Sequence, residues 1–131
     1  MFDLKSRILV VDDMMTMRKI VAKNLKEIGF SDIQDASDGN LAWDILSKST
    51  PPIQLIVSDW NMPNCSGLDL LKKCRADANY AKIPFILVTA EAEASQVKEA
   101  VLAGVTNYVV KPFTAEILKQ KLEAAHKKIA A

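Results

Sequence analysis

Five short runs of β-branched and other apolar residues alternate along the chain with five longer stretches whose apolar positions recur every three or four residues. The short runs, at 8–11, 32–36, 55–58, 85–89 and 107–110, have strand length and strand composition. The near-continuous apolarity of ILVV and FILV marks strands covered on both faces. In the first long stretch Met17, Ile20, Val21, Leu25 and Ile28 fall at helical spacing, which predicts one buried face, and Gly29 follows as a C-terminal cap. The second helix follows Asp38-Gly39 and stops before Pro51-Pro52, because a proline pair cannot continue it. Ser66 and Asp69 form a capping-box pattern ahead of Leu68, Leu70 and Leu71 in the third. Val97, Ala100 and Val101 mark a fourth helix closed by Gly104, and Leu118, Leu122 and Ala125 a fifth capped by Thr114. A βα unit repeated five times predicts an α/β protein with a parallel sheet between two layers of helices.

In a doubly wound sheet, ligands bind outside the carboxyl ends of the strands, so the residues that close each apolar run are the ones to inspect. Asp12 and Asp13 follow the first run, Asp59 follows the third, Thr89 ends the fourth and Lys111 follows the fifth. All five residues are therefore expected on one edge. Three carboxylates gathered there repel one another by about 1–4 kcal/mol per close pair, depending on the effective dielectric, and call for a cation. An all-oxygen donor set with few protein ligands suits Mg²⁺ better than Ca²⁺. Lys111 and Thr89 would then offer charge and a hydroxyl to phosphoryl oxygens, with Asp59 placed to act as a nucleophile.

The remaining composition narrows the function classes. The chain of 131 residues is expected to be one domain over its whole length, with 50% apolar and 25% charged residues, as in an ordinary globular protein. Seventeen Lys and Arg against sixteen Asp and Glu give a net charge of +1, which supplies no field for nucleic acid or a membrane surface. The apolar run at 8–11 is too short for a signal or membrane segment, so the expected location is the cytoplasm. Cys65 and Cys74 lack metal-ligand spacing and read as reduced thiols.

Four motifs, Val10-Val11-Asp12-Asp13, Ser58-Asp59-Trp60-Asn61-Met62-Pro63, Val88-Thr89-Ala90-Glu91 and Tyr108-Val109-Val110-Lys111-Pro112-Phe113, resemble those of CheY-like receiver domains of response regulators. The resemblance runs from about Ile8 to Leu122 in one register. It implies a flavodoxin-like (βα)5 fold with strand order 2-1-3-4-5, an order for which this family is itself a worked example. By resemblance Asp59 is the phosphoacceptor, and Asp13, Asp59 and the carbonyl of Asn61 contact Mg²⁺, with Asp12 acting mainly through water. Thr89 and Lys111 hold phosphoryl oxygens. Asn61 and Glu91 tune dephosphorylation, and Thr89 moves as Tyr108 turns inward. Ala92, Val97, Tyr108, Val110 and Lys121 match a target-binding face, and the Lys111–Pro112 bond is expected to be cis.

The function so implied is that of a signalling domain which catalyses only its own phosphorylation and dephosphorylation, not that of an enzyme on free substrate. It would be a stand-alone monomeric regulator, receiving phosphate from a CheA-like histidine kinase and binding a flagellar motor switch protein, with a phosphatase as a further partner. A phosphorelay intermediate or a regulator of another pathway stays open. An aspartyl-nucleophile phosphatase would want Asp-x-Asp after the first strand, where Asp12 and Asp13 are adjacent. A flavin domain would want a Ser/Thr/Gly-rich loop where Met14 and Met15 stand. Met14, Met15 and Met17 are expected to flank the site and pack the first helix, Trp60 to report on it, and His126 to interact with its helix end. Met15, Glu93 and Ala94 depart from the family's usual small polar and basic residues, which leaves the partner open.

Overall fold

In a computed structural model of the chain, the described residues are 2–62, 65–90 and 94–130. Strands β1 (Ile8–Val11), β2 (Ile33–Ala36), β3 (Leu55–Asp59), β4 (Phe85–Thr89) and β5 (Asn107–Val110) alternate with helices α1 (Met15–Ile28), α2 (Gly39–Lys48), α3 (Gly67–Ala76), α4 (Ala94–Leu102) and α5 (Ala115–Ala130). All pairings are parallel, in the order β2-β1-β3-β4-β5. The expected flavodoxin-like architecture is thus the one the chain adopts.

Side-chain alternation along each strand separates two cores. Leu9, Val11, Ile56, Phe85 and Leu87 face α2, α3 and α4, where they meet Ala42, Leu46, Leu71 and Ala100. Ile8, Val10, Leu55, Val57, Ile86 and Val88 face α1 and α5, where they meet Val21, Leu25, Leu118 and Leu122. Both faces of the central strands are dry, which is why those runs lack a polar period.

The helix ends follow the sequence signals. Asp38 Oδ1 accepts from the Leu41 N–H, Ser66 Oγ from Asp69 and Thr114 Oγ1 from Ile117. Gly29 and Gly104 take φ values of +127° and +92°, and the following Phe30 and Val105 donate back to Leu25 and Ala100. This is the left-handed closure that glycine permits. The Lys111–Pro112 bond is cis as expected, and so is Thr50–Pro51, which no motif indicated.

Some details differ from the sequence reading. β2 starts at Ile33, one residue late, and β3 includes Asp59, so the acidic side chain is carried by the strand itself. Ile20 is 43% exposed and Val101 58% exposed, so these two belong to outer helix faces and not to the core. Met14 and Met15 are also exposed and do not pack α1, whereas Met17 is half-buried. His126 also packs edge-on against the Phe2 ring, with centroids 5.1 Å apart.

Neither cysteine is in a disulfide. Burial pushes the Cys74 thiol up to about 12, and burial followed by the nearby Asp69 charge raises Cys65. The thiolate is the reactive form. Alkylation of the folded protein at pH 8 should therefore label Cys65 slowly and leave Cys74 unlabelled until denaturant is added. Intact-mass measurement counts the adducts, and prompt double labelling would contradict the packing described. Among the described residues no helix is long and apolar enough to cross a membrane.

Candidate functional site

The residues that directly follow β1, β3 and β5 are each held by one further ladder hydrogen bond. The Asp12 N–H donates to the Ala36 carbonyl at 3.1 Å, Trp60 to Val88 at 2.9 Å and Lys111 to Thr89 at 2.8 Å. The backbones that aim the polar side chains are thus continuous with the sheet. Asp12 is fixed further: its Oδ1 accepts from the Met14 N–H at 2.9 Å, and its carbonyl accepts from Arg18 Nη1 at 2.9 Å. Arg18 is in turn oriented by Asp35, whose Oδ2 accepts from Nε at 2.8 Å. Asp12 therefore stabilises the turn into α1, while the N-cap position itself is Met14.

Asp12, Asp13 and Asp59 place one carboxylate oxygen each within 4.8 Å of the others. Asp12 and Asp59 are buried and Asp13 is exposed, so the group opens to solvent on the Asp13 side. Lys111 Nζ lies 3.1 Å from Asp59 Oδ1 and 3.5 Å from Asp12 Oδ2. Burial raises the Asp59 carboxyl above its ordinary value; the Lys111 hydrogen bond and charge oppose that shift, and the neighbouring Asp12 and Asp13 charges add to it. One ammonium facing three carboxylates leaves negative charge uncompensated. An all-oxygen cluster in this condition fits a hard divalent cation.

Beyond Asp59, Thr89 is buried at the end of β4 and Asn61 is exposed in the β3–α3 connection. With Ala90 and Gln96 they line a cavity of about 230 Å³. The approach of α3 to this edge depends on Gly67, whose N–H donates to the Trp60 carbonyl at 2.9 Å. A Cβ at Gly67 would stand 2.1 Å from the Asp59 carbonyl oxygen. Sequence reasoning passed over Gly67, Arg18 and Gln96. Only Gly67 carried a usable signal, a glycine directly after the Ser66 cap.

The sequence-predicted residues fall into two groups. Asp12, Asp13, Asp59 and Lys111 converge, with Thr89 and Asn61 at the adjoining cavity. Val97 on α4, Tyr108 and Val110 on β5 and Lys121 on α5 are not among the residues that converge there, and all four are half-buried. The Lys121 ammonium sits 5.1 Å from the centroid of the Tyr108 ring, and the Lys121 carbonyl accepts from Asn107 Nδ2 at 3.0 Å. Trp60 is half-buried against the α2–α3–α4 core. Glu91 and Ala92, assigned to dephosphorylation and to the partner face, lie outside the described residues, as does Glu93.

The response regulator receiver domain family model matches residues 8–123. A chemotaxis protein CheY homolog of Campylobacter jejuni is 46% identical over 117 residues, covering 89% of both chains. Chemotaxis protein CheY-3 of Vibrio cholerae is 48% identical over 89% of this chain and 88% of its own. The crystallised chemotaxis response regulator CheY4 of Vibrio cholerae superposes with a TM-score of 0.83 at 30% identity, over 92% of this chain and 98% of that one.

Proposed function

Because this chain belongs to the response regulator receiver domain family of two-component signalling, we propose that Asp59 accepts a phosphoryl group from a histidine kinase and that the phosphorylated chain binds a flagellar motor switch protein. The observation that carries the first half is the buried Asp59 carboxylate, 3.1 Å from Lys111 and grouped with Asp12 and Asp13 at the strand ends. In the transfer an Asp59 oxygen attacks phosphorus, the bond from phosphorus to the donor's histidine nitrogen breaks, and that nitrogen leaves with the electron pair.

Lys111 balances charge on the phosphoryl oxygens and Thr89 offers a hydroxyl donor. Asp13, Asp59 and the Asn61 carbonyl would hold Mg²⁺, with Asp12 behind them, and the ion would supply the remaining charge neutralisation. The chain acts on itself and not on a free substrate, with Asn61 and Glu91 setting how fast water removes the phosphate. A phosphoryl group adds about 1.5–2 negative charges, enough to bias a two-state arrangement of Thr89 and Tyr108 through its contacts. Val97, Tyr108, Val110 and Lys121, to which the family resemblance adds Ala92, combine apolar side chains with a cation as an output face, which suits a short amphipathic partner segment. The chemotaxis names of the relatives support the choice of partner.

The test is to incubate the protein with a small acyl phosphate, with and without Mg²⁺, and to weigh it intact. One labile phosphoryl group gained only with Mg²⁺ is the expected result. No gain, while Trp60 fluorescence reports that Mg²⁺ binds, would reduce the cluster to a metal site and overturn the reading. Retention of the phosphorylated form, but not the unmodified form, by a motor switch protein tests the second half.

A further inference from the structure

Asp13 is exposed, and among the described residues no hydrogen bond or ion pair holds its carboxylate, so its placement depends on the backbone that carries it. That backbone is the Asp12–Asp13 peptide, whose oxygen is the Asp12 carbonyl. A peptide unit is planar, so a partner that fixes this oxygen fixes the plane from which Asp13 departs. The partner is Arg18 in the first turn of α1, whose Nη1 donates to the Asp12 carbonyl at 2.9 Å. The same guanidinium donates from Nε to Asp35 Oδ2 at 2.8 Å, across to β2, and the Arg18 side chain is only 16% exposed. A planar guanidinium presents its donors in a rigid fork and can hold two acceptors at once, which a single ammonium does poorly. Arg7 makes a comparable bridge, from Nε to Asp32 Oδ2 at 3.0 Å, beside the other end of β2 and away from the carboxylates.

Resting on the reading of Asp13 as a Mg²⁺ contact, we propose that Arg18 is a positioning residue for the metal site: with Asp35 it holds the Asp12–Asp13 peptide in the orientation that keeps the Asp13 carboxylate grouped with those of Asp12 and Asp59. It acts through the backbone and is not itself a ligand. Charge and geometry predict opposite signs for its removal. A guanidinium beside an acidic cluster opposes a dication, so loss of the charge alone would tighten Mg²⁺ binding. Loss of the clamp lets a carboxylate leave the group and weakens binding, as happens when residues that orient metal ligands are removed. The sign of the change therefore separates the two effects.

The experiment is isothermal titration of the full chain with Mg²⁺ for the wild type, Arg18→Met, Arg18→Lys, Asp35→Asn and Arg7→Met. Methionine removes the donors, lysine keeps the charge without the fork, and Arg7→Met removes a like bridge elsewhere on the same strand. Expected are a Kd about ten-fold weaker in Arg18→Met and a smaller weakening in Arg18→Lys, where charge is unchanged. Asp35→Asn should also weaken binding, and it carries the test if Arg18→Met does not fold. Arg7→Met should bind as the wild type does. At saturating Mg²⁺ the rate of phosphoryl gain from a small acyl phosphate should return to the wild-type value in Arg18→Met, which general loosening of the fold would not allow. Unchanged or tighter binding in Arg18→Met, equal weakening in Arg7→Met, or a saturated rate well below that of the wild type overturns the role of Arg18 alone. A wild type that takes up no Mg²⁺ overturns the metal reading and this one with it.

Discussion

The Asp59→Asn protein should gain no phosphoryl group under conditions that modify the wild type fully, and it should melt at a higher temperature in the absence of metal. The first effect follows from chemistry, since an amide oxygen at this position lacks the anionic electron pair that attacks phosphorus. The second follows from electrostatics. Asp59 is buried beside Asp12 and Asp13, and its folded-state pKa is raised. A carboxyl raised in the folded state binds protons more tightly there than in the unfolded chain, so its ionisation costs stability as pH rises from 3.8 through the folded pKa. Asparagine removes that cost. A gain on the order of 1 kcal/mol, or a few degrees, is expected at neutral pH. Added Mg²⁺ should shrink the difference by stabilising the wild type. Differential scanning calorimetry with chelator and with Mg²⁺ checks this, and a destabilised Asp59→Asn protein in chelator would show that the carboxylate cluster carries no net strain.

Gly67→Ala should be the most damaging conservative substitution at this edge. The added Cβ would lie 2.1 Å from the Asp59 carbonyl oxygen, 3.0 Å from its carbonyl carbon and 3.0 Å from Leu87 Cδ2. The obstruction is backbone, which cannot swing aside as a side chain can. Either α3 retreats from β3, opening the buried contacts of Leu68, Leu70 and Leu71, or the end of β3 shifts and carries Asp59 with it. A loss of about 3 kcal/mol or more is expected, at the upper end of overpacking costs, together with weakened Mg²⁺ binding. Gly104→Ala is the control. Its positive φ of +92° disfavours alanine by about 1–2 kcal/mol, but the nearest obstacle is the Arg75 side chain at 3.2 Å, and the site is untouched. Urea denaturation of both variants separates the effects. Equal losses, or intact Mg²⁺ affinity in Gly67→Ala, would show that the α3 approach does not hold Asp59 in place.

The residues that the sequence could not rank share a property. Ile20 and Val101 sit at helical spacing with core residues, yet periodicity fixes a face only to within one position, and the neighbouring elements decide which edge of that face is covered. Val101 is left outside because α4 joins the core through Ala100. Asp59 was expected just after β3, but β4 extends to Thr89 and its Val88 pairs with Asp59, so pairing with the neighbour lengthens the strand by one residue. Arg18 looked like any surface cation of an amphipathic helix. Only the fold sets it between the Asp12 carbonyl and Asp35, seventeen residues further along.

By itself the sequence determined the alternation of strands and helices, the caps at Ser66, Gly29, Gly104 and Thr114, and the family to which Asp12-Asp13, Asp59, Thr89 and Lys111 belong. These depend on residues close together in the chain, through hydrogen-bond geometry and side-chain periodicity, or on short motifs standing in a fixed order. The tertiary structure alone decided that Lys111 Nζ stands 3.1 Å from Asp59 although fifty-two positions separate them (111 − 59), and that α3 approaches the end of β3 so closely that a Cβ at Gly67 would meet the Asp59 carbonyl. The physical reason is that distances between distant residues are set by how parallel strands register and how helices pack across them. No local propensity encodes those quantities.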